Sequence, residues 1–510
     1  MKKTSLLLIT CITFCSTLIA QDKKDAPKWD VSNPQGTYKD VNFTTSEGTW
    51  MNLDVSPDGK EIIFDLLGDI YTMPVTGGTA TVLRSGHAFE VQPRFSPDGK
   101  KILFTSDAGG GDNIWVMNRD GSKATQVTKE SFRLLNNAAW SPDGEYIVAR
   151  KHFTSSRSLG AGEMWMYHIS GGGGLQLTVR KNDQQDVNEP VCSPDGRYVY
   201  YSEDMYPGGF FQYNKDPNNQ IFVIKRFDRE KGTNETVTGG PGGAVRPQVS
   251  HDGKWLGFVK RVRTKTVLYI KDLANGEEWP VYDGLSKDQQ EAWSVFGLYT
   301  GYSFTPDDKN IIIWSYGKIL KVDLNGANKA AEIPFTCHVK QRLYEVPRYQ
   351  QELNPETFTA HVIRNAVTSP DGKTLLFNAA GYLWKKALPE GKPERLINTN
   401  DGAYRHAGFE FEPSFSADGK SILYVTWNDS LAGAIYKIST LANSPQGPLS
   451  KPVKLTAVKG IYRQPSFSPD GKWIVFRKEG GSNTMGSGYT AEPGIYTMTA
   501  DNLLEYKFSA

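Results

Sequence analysis

The sequence predicts an all-β fold, a β-propeller of about nine four-stranded blades, set out as a six-bladed ring followed by a partial second propeller. Three observations carry this. A Ser-Pro-Asp-Gly turn recurs at a blade-like period, strand-type segments flank every copy, and turn formers abound, with 50 glycines and 28 prolines in 510 residues. The length exceeds what one hydrophobic core takes, and 38% hydrophobic residues can fill several.

The tetrapeptide stands at 56–59, 96–99, 141–144, 193–196, 369–372 and 468–471. Degenerate copies carry His251, Ala417 and the pair Thr305 and Asp308 in place of the usual residues. The nine turn aspartates are 58, 98, 143, 195, 252, 307, 371, 418 and 470. Such separations suit one four-stranded blade with variable loops. Proline presets φ at the first central position of the turn, aspartate can accept bonds from nearby amides, and glycine supplies a positive φ.

One strand should enter each turn and another leave it. Short segments ending in an aromatic precede several turns, as at Phe95, Trp140 and Phe467. Runs rich in Ile, Val, Leu, Phe and Tyr follow, such as 61–64, 101–104, 421–424 and 473–476. A third segment opens with an aliphatic-aromatic pair, as in Ile70-Tyr71, Ile114-Trp115, Ile435-Tyr436 and Ile495-Tyr496. A more polar fourth closes most units, for example 80–83, 175–178 and 453–456. A β-sandwich with a chance repeat would not produce four strands per period.

Nine units fit poorly in one ring, which usually closes with four to eight blades. The longest gap between turns, from Asp307 to Asp371, holds the strand-like tract 330–339, the polar stretch 349–357 and strand-like 358–363. A boundary near 340–360 assigns 42–345 to a first propeller and 346–510 to the first three blades of a second. A single ring of eight or nine blades is the alternative. Three blades cannot close a ring, so the sequence reads as the front part of a longer protein or one that ends early.

Residues 1–20 read as a secretory signal peptide: Lys2 and Lys3, an apolar stretch over 6–19, then Ala20 before Gln21. The stretch is too short for a stable membrane span with these flanks, and no other long apolar run follows. Residues 21–41 are an N-terminal linker, and the expected location is periplasmic or secreted. Without Lys2 and Lys3 the 58 basic residues fall level with the 56 acidic ones, which argues against nucleic acid as a partner. Of four cysteines, Cys192 and Cys337 remain. Cys192 occupies a position filled by Phe95, Trp140 or Phe415 in other repeats, which favours a buried free thiol over a disulfide.

The Phe/Trp-Ser-Pro-Asp-Gly-Lys unit with its later Ile-Tyr/Trp strand resembles the WD40-like repeat of the TolB and tricorn-protease propellers, over about 42–498. Two stretches, Glu332-Ile333-Pro334-Phe335-Thr336 with Val339-Lys340-Gln341, and Tyr424-Val425-Thr426-Trp427 with Asn428-Asp429, are similar to exported amidohydrolases that carry such a propeller before a metal-dependent barrel. That resemblance implies a hydrolase domain beyond residue 510. A fold of this kind does not by itself assign a function.

No catalytic, cofactor-binding or metal-ligating residue is assigned. There is no Gly-x-Ser-x-Gly elbow, and 480–484 lacks the closing glycine. The seven histidines, His87, His152, His168, His251, His338, His361 and His406, form no His-x-His or His-Glu-x-x-His pattern. The glycine runs 109–111 and 171–174 lack the lysine of a phosphate loop and read as turns. Asp107, Asp112 and Asp120 lack calcium-loop spacing. The one binding candidate is an aromatic insertion containing Tyr206, Phe210, Phe211 and Tyr213, with weaker interest in 279–293 and its charged run 287–291. Either region can equally be a loop packed on its own blade.

Two functions remain open from the residues. The blades can form a binding or gating module that admits a peptide-like ligand for a hydrolase, or a free-standing scaffold that docks a protein at the cell envelope.

Overall fold

In the computed structural model the structure describes residues 30–508, apart from 132–133, 154–159, 210–214, 293, 327, 347, 350, 398–407, 442–450, 481–492 and 501–505. The described residues form nine four-stranded antiparallel sheets and one three-stranded sheet. In chain order the four-stranded sheets span 53–84, 90–126, 134–176, 187–238, 245–285, 303–333, 363–395, 409–454 and 461–508, and are called sheets 1 to 9. Eight of them pair their strands strictly in sequence order. Sheet 1 skips the short strand Gly78–Thr79, which joins the three-stranded sheet instead. The fold is an all-β propeller.

Each Ser-Pro-Asp-Gly copy links the first and second strands of its sheet, and the serine is as important as the other three residues. In the first copy the Ser56 hydroxyl donates to Asp58 Oδ1 (2.6 Å) and accepts from the Glu61 amide (2.9 Å), while Asp58 also accepts from the Lys60 amide (3.1 Å). The Gly59 amide donates to the Ser56 carbonyl (2.8 Å), and Gly59 has φ 69°. These donors stabilise the ionised carboxylate and hold Asp58 below its ordinary range; in the next copy they bring Asp98 to about 2.

The turns also count the blades. A Cβ on Gly99 would stand 3.5 Å from Pro57, one on Gly144 3.9 Å from Pro97, one on Gly196 3.8 Å from Pro142, and one on Gly253 3.9 Å from Pro194. The next contact swaps chemistry: His251, in the proline position, donates its backbone amide to Asp308, in the glycine position (2.9 Å). Pro306 then lies 3.4 Å from the equivalent point on Gly59, so sheet 6 meets sheet 1. The apolar core agrees, running without a break through Leu53, Phe64, Leu268, Phe304, Ile312 and Phe335.

A belt reinforces that closure. The strand β1 (Tyr38–Thr45) pairs antiparallel with Phe335–Tyr344, in register from Tyr38 opposite Tyr344 to Thr45 opposite Cys337. The first residues of Phe335–Tyr344 run parallel to Gly78–Thr79. Arg342 stacks 3.8 Å above the Tyr38 ring and bonds Asp40 through Nε (2.9 Å). The strand preceding sheet 1 is thereby fastened to the one following sheet 6. β1 begins within the stretch expected to be a linker, and Pro334 divides the tract 330–339 into two strands, Ala330–Ile333 and Phe335–Tyr344. The strand-like run 358–363 is irregular until Ile363, where the first strand of sheet 7 begins. Sheet 9 does possess a fourth strand, Tyr506–Phe508.

Sheets 7, 8 and 9 repeat the packing. Leu376, Leu383, Ile422 and Tyr424 fill the space between 7 and 8, and Leu423, Val425, Ile474 and Phe476 that between 8 and 9. A Cβ on Gly419 would meet Pro370 at 3.5 Å, but Gly471 has nothing within 4 Å, because Ala417 replaces the proline. A cleft of about 840 Å³ opens there, lined by Ala417, Gly471, Asp418 and Trp473 among others. Restoring the proline is an inexpensive stabilisation, since the turn makes the same bonds as its proline-bearing sisters, with the Gly419 amide on the Ser416 carbonyl (2.9 Å) and the Ser416 hydroxyl on Asp418 (2.7 Å). Ala417→Pro is expected to raise stability by about 0.4–1 kcal/mol in equilibrium urea unfolding; a loss instead would mean that the turn is not of the sister type.

Candidate functional site

The axis-facing strand of nearly every sheet carries the same defect. Four residues before the turn serine the backbone turns left-handed: Gln92 (φ 59°), Asn137 (50°), Glu189 (60°), Arg246 (56°), Asn365 (52°), Glu412 (50°) and Gln464 (52°). The strand register skips at the same places, for example between Val91 and Arg94 and between Asn188 and Val191. These are β-bulges, which re-aim a side chain and leave a residue out of the ladder. The following residue is Pro93, Pro190, Pro247, Pro413 or Pro465 in five copies, and a bulge is where proline's missing N–H does no harm. In seven of the nine sheets the repeat thus delivers one polar side chain to the axis.

In the first ring these side chains hold the chain's own segment 294–302, which connects sheets 5 and 6. Glu189 Oε1 accepts from the amides of Leu298 (2.5 Å) and Tyr299 (3.1 Å), and Asn52 Oδ1 from that of Gly301 (2.8 Å). Gln92 Nε2 donates to the Phe296 carbonyl (2.8 Å), and Asn188 Nδ2 to that of Ser294 (3.2 Å). The holders bond one another as well: Gln92 Nε2 and Arg246 Nη1 both reach Asn137 Oδ1, at 2.7 and 3.0 Å. A buried segment without regular structure must find partners for its backbone, and here the repeat supplies them. Burial pushes Asp65, bonded to Asn52 and the Gln92 amide, up to about 6, and pulls Arg246 down to about 10. The axis of this ring is filled at that level by a peptide in an extended grip.

The equivalent positions in sheets 7 and 8, Asn365 and Glu412, line a pocket of about 310 Å³, together with Arg364, Trp427, and Tyr462 and Arg463 of sheet 9. Glu412 is buried and accepts from Arg463 Nη2 (2.6 Å), Arg463 Nε (2.8 Å) and the Gln464 amide (2.6 Å). The bond to the Glu412 carboxylate raises Arg463 above its ordinary value. Arg364 is exposed at the mouth and its side chain makes no ion pair or hydrogen bond among the described residues. Trp427 donates Nε1 to Asp429 (2.9 Å) and Tyr462 its hydroxyl to the Val458 carbonyl (2.7 Å), which fixes both rings. An open cation, a paired acid and two held aromatics can receive a polar, extended ligand with an acidic group.

The aromatic insertion falls elsewhere. Tyr206 is buried, its amide donating to Asp204 (2.9 Å) with the Lys215 ammonium 5.5 Å over its ring. Phe210, Phe211 and Tyr213 lie outside the described residues, as does the signal stretch 1–20. In the second region Trp279 packs edge-on to Trp255 at 5.5 Å, and Asp288 is sealed against Arg261 at 2.8 Å, so the run 287–291 serves to anchor the axial segment. Residues 171–174, expected to form a turn, lie within the strand Gly171–Gln176. Cys192 and Cys337 are free thiols pushed up to about 12 by burial. Among the described residues no group of three or more His, Cys, Asp or Glu side chains could hold a metal ion. No helix among them is long and apolar enough to cross a membrane. The axial residues escaped sequence reading; the signal was a polar residue before proline, four positions ahead of the turn serine.

Comparison with known proteins accords with this architecture. Residues 49–203 match the family of the tricorn protease N-terminal beta propeller domain. An uncharacterized protein of Agrobacterium fabrum is 31% identical over 161 residues, 29% of this chain and 53% of that one. The Tol-Pal system protein TolB of Wolinella succinogenes is 31% identical over 170 residues, 32% of this chain and 39% of its own length. The uncharacterized peptidase YuxL of Bacillus subtilis is 27% identical over 184 residues, 36% of this chain and 23% of its own. The chain therefore spans about half or less of these relatives. Among solved structures the tricorn protease aligns at 12% identity and a TM-score of 0.43, over 89% of this chain and 49% of that one. Nine turn-linked four-stranded sheets, seven of them bulged, make the chain a β-propeller whose sequence is similar to TolB and, over residues 49–203, to the tricorn protease N-terminal beta propeller domain.

Proposed function

We propose that this chain is an exported binding module that captures extended polypeptide segments at the axial pocket of sheets 7 to 9 and presents them to a hydrolase of the amidohydrolase type. One observation carries the reading: in the first ring, side chains at the same repeat positions grip the backbone of 294–302 through both its amides and its carbonyls. Asn365 and Glu412 offer that chemistry in the wall of a pocket, and Arg364 adds a cation for an acidic group. The likeness to a Tol-Pal protein supports protein binding, and the likeness to a peptidase supports service to a hydrolase. The signal-like segment 1–20 supports export, and the gap after 345 supports two functional units. A free-standing envelope scaffold is the second reading, favoured by the same TolB likeness.

The test is fluorescence anisotropy with labelled peptides ending in a free aspartate carboxylate or in the corresponding amide. The free acid is expected to bind tighter, and Arg364→Ala to weaken it about tenfold or more, the worth of a charge-assisted bond of about 1.5–3 kcal/mol. Equal binding of acid and amide, untouched by Arg364→Ala, would remove the pocket from consideration.

A further inference from the structure

The junction between sheets 8 and 9 lacks the prolyl ring that six others contain. Pro57 lies against Gly99, Pro97 against Gly144 and Pro370 against Gly419, and in all six the nearest ring carbon is 3.4–3.9 Å from where the glycine's Cβ would be. Ala417 stands in the proline position of sheet 8, and a Cβ on Gly471 meets nothing within 4 Å. The cleft between sheets 7 and 8, with Pro370 in place, has a volume of about 430 Å³. The one between sheets 8 and 9 has about 840 Å³.

The walls of the larger cleft suit the missing ring. Phe467, half-buried, and Trp473, 46% exposed, both line it. Trp255, five residues beyond its turn serine as Trp473 is beyond Ser468, packs edge-on against Trp279. Trp473 has no such ring contact among the described residues, and its indole N–H donates to none of their groups. The lining charges cancel, Asp418 and Asp470 against Lys437 and Lys472, and Lys437 already bonds the Ala500 carbonyl (3.0 Å). The cleft therefore offers an apolar slot, an aromatic face and one free donor, with no net charge to attract an ion. Polyproline II segments dock on surfaces of this kind. Their prolyl rings pack on aromatic faces, and their carbonyls, which have no internal bonds, accept from donors such as an indole N–H.

We propose that the cleft between sheets 8 and 9 is a peptide site in its own right, taking a neutral, proline-bearing segment of a partner polypeptide in polyproline II conformation. One prolyl ring of that segment lies on Gly471 in the place left by Ala417, and one of its carbonyls accepts from Trp473 Nε1. The repeat itself indicates the occupant's chemistry, because the same groove over six other turn glycines is filled by a prolyl ring. The site is built from the turns and shares no lining residue with the pocket of Arg364 and Glu412, so it stands whether or not that pocket binds peptides.

Fluorescence anisotropy with a labelled oligoproline peptide and the matching oligoalanine peptide tests it. The oligoproline is expected to bind and the oligoalanine not. Ala417→Pro, which supplies the ring from within, should weaken binding about tenfold or more while the protein unfolds no more easily. Trp473→Ala, at an exposed side chain, should weaken it to a similar degree. An excess of the aspartate-ended peptide should leave the oligoproline bound. Failure of the oligoproline to bind, equal binding of the two peptides, binding untouched by Ala417→Pro and Trp473→Ala, or displacement by the aspartate-ended peptide overturns the proposal. So does binding that appears only in a chain carrying Pro445→Ser and Pro448→Ser, which would make the chain's own segment the occupant.

Discussion

Arg261→Ala is expected to destabilise the first ring by about 3–5 kcal/mol, the typical cost of leaving one member of a buried ion pair alone. The Arg261 side chain is wholly enclosed, as is that of Asp288, and the two bond through Nε to Oδ2 (2.8 Å) and Nη2 to Oδ1 (2.9 Å). Asp288 takes a further bond from the Thr266 hydroxyl (2.7 Å), and Arg261 reaches out to Glu291 (3.2 Å). Removing the guanidinium therefore strands a carboxylate where water cannot solvate it. The loss is read from equilibrium urea unfolding, with Asp288→Asn and the double variant completing a cycle. The double variant should recover part of the loss, because the stranded charge is then gone. A single-variant loss under 1 kcal/mol would mean that water enters the site and that the pair is an ordinary surface bridge.

The same pair explains part of what was legible in the sequence and what was not. The turns, the strands that flank them and the number of units all rest on local chemistry: a proline φ, a glycine at positive φ, an aspartate within reach of its own backbone. Such signals survive in a linear reading. The belt between Tyr38–Thr45 and Phe335–Tyr344 joins residues some 300 positions apart, and nothing within either segment announces the other. The tract 330–339 was recognised as strand-like but not as two strands, because Pro334 breaks pairing only when the partners are known. Segment 286–302 carries few strand formers, and only its first part falls within the insertion noticed at 279–293; its burial depends on Arg261 and on axial side chains of the first ring. Tyr206 attracted notice as an exposed aromatic, yet Asp204 and Lys215 hold it in place as part of the wall. The axial residues were hidden for a different reason. Gln92, Asn137, Glu189 and Arg246 share a position and a backbone shape but no residue type, so an eye tuned to identity passes over them.

Glu189→Gln should release the axial segment, and here a substitution that is nearly isosteric is the severe one. The carboxylate accepts four bonds: from the Leu298 and Tyr299 amides at Oε1, and from the Arg246 amide (2.6 Å) and Ser202 hydroxyl (2.7 Å) at Oε2. An amide side chain keeps one acceptor oxygen and turns an NH2 toward donors on the other side, so at least one buried N–H loses its partner at about 1–3 kcal/mol. Arg246, already drawn down to about 10 by burial, loses at the same time the charge that most favours its protonated form. The cost falls on the contact between segment and ring, not on the sheets, so it should appear as local opening. Amide exchange across 294–302 is expected to quicken by about tenfold to a hundredfold, following tenfold per 1.4 kcal/mol, while sheets 7 to 9 exchange as before. If the segment exchanges at its original rate in the variant, the four bonds to Glu189 are not what holds it, and the first ring could not serve as the pattern for ligand capture at the second.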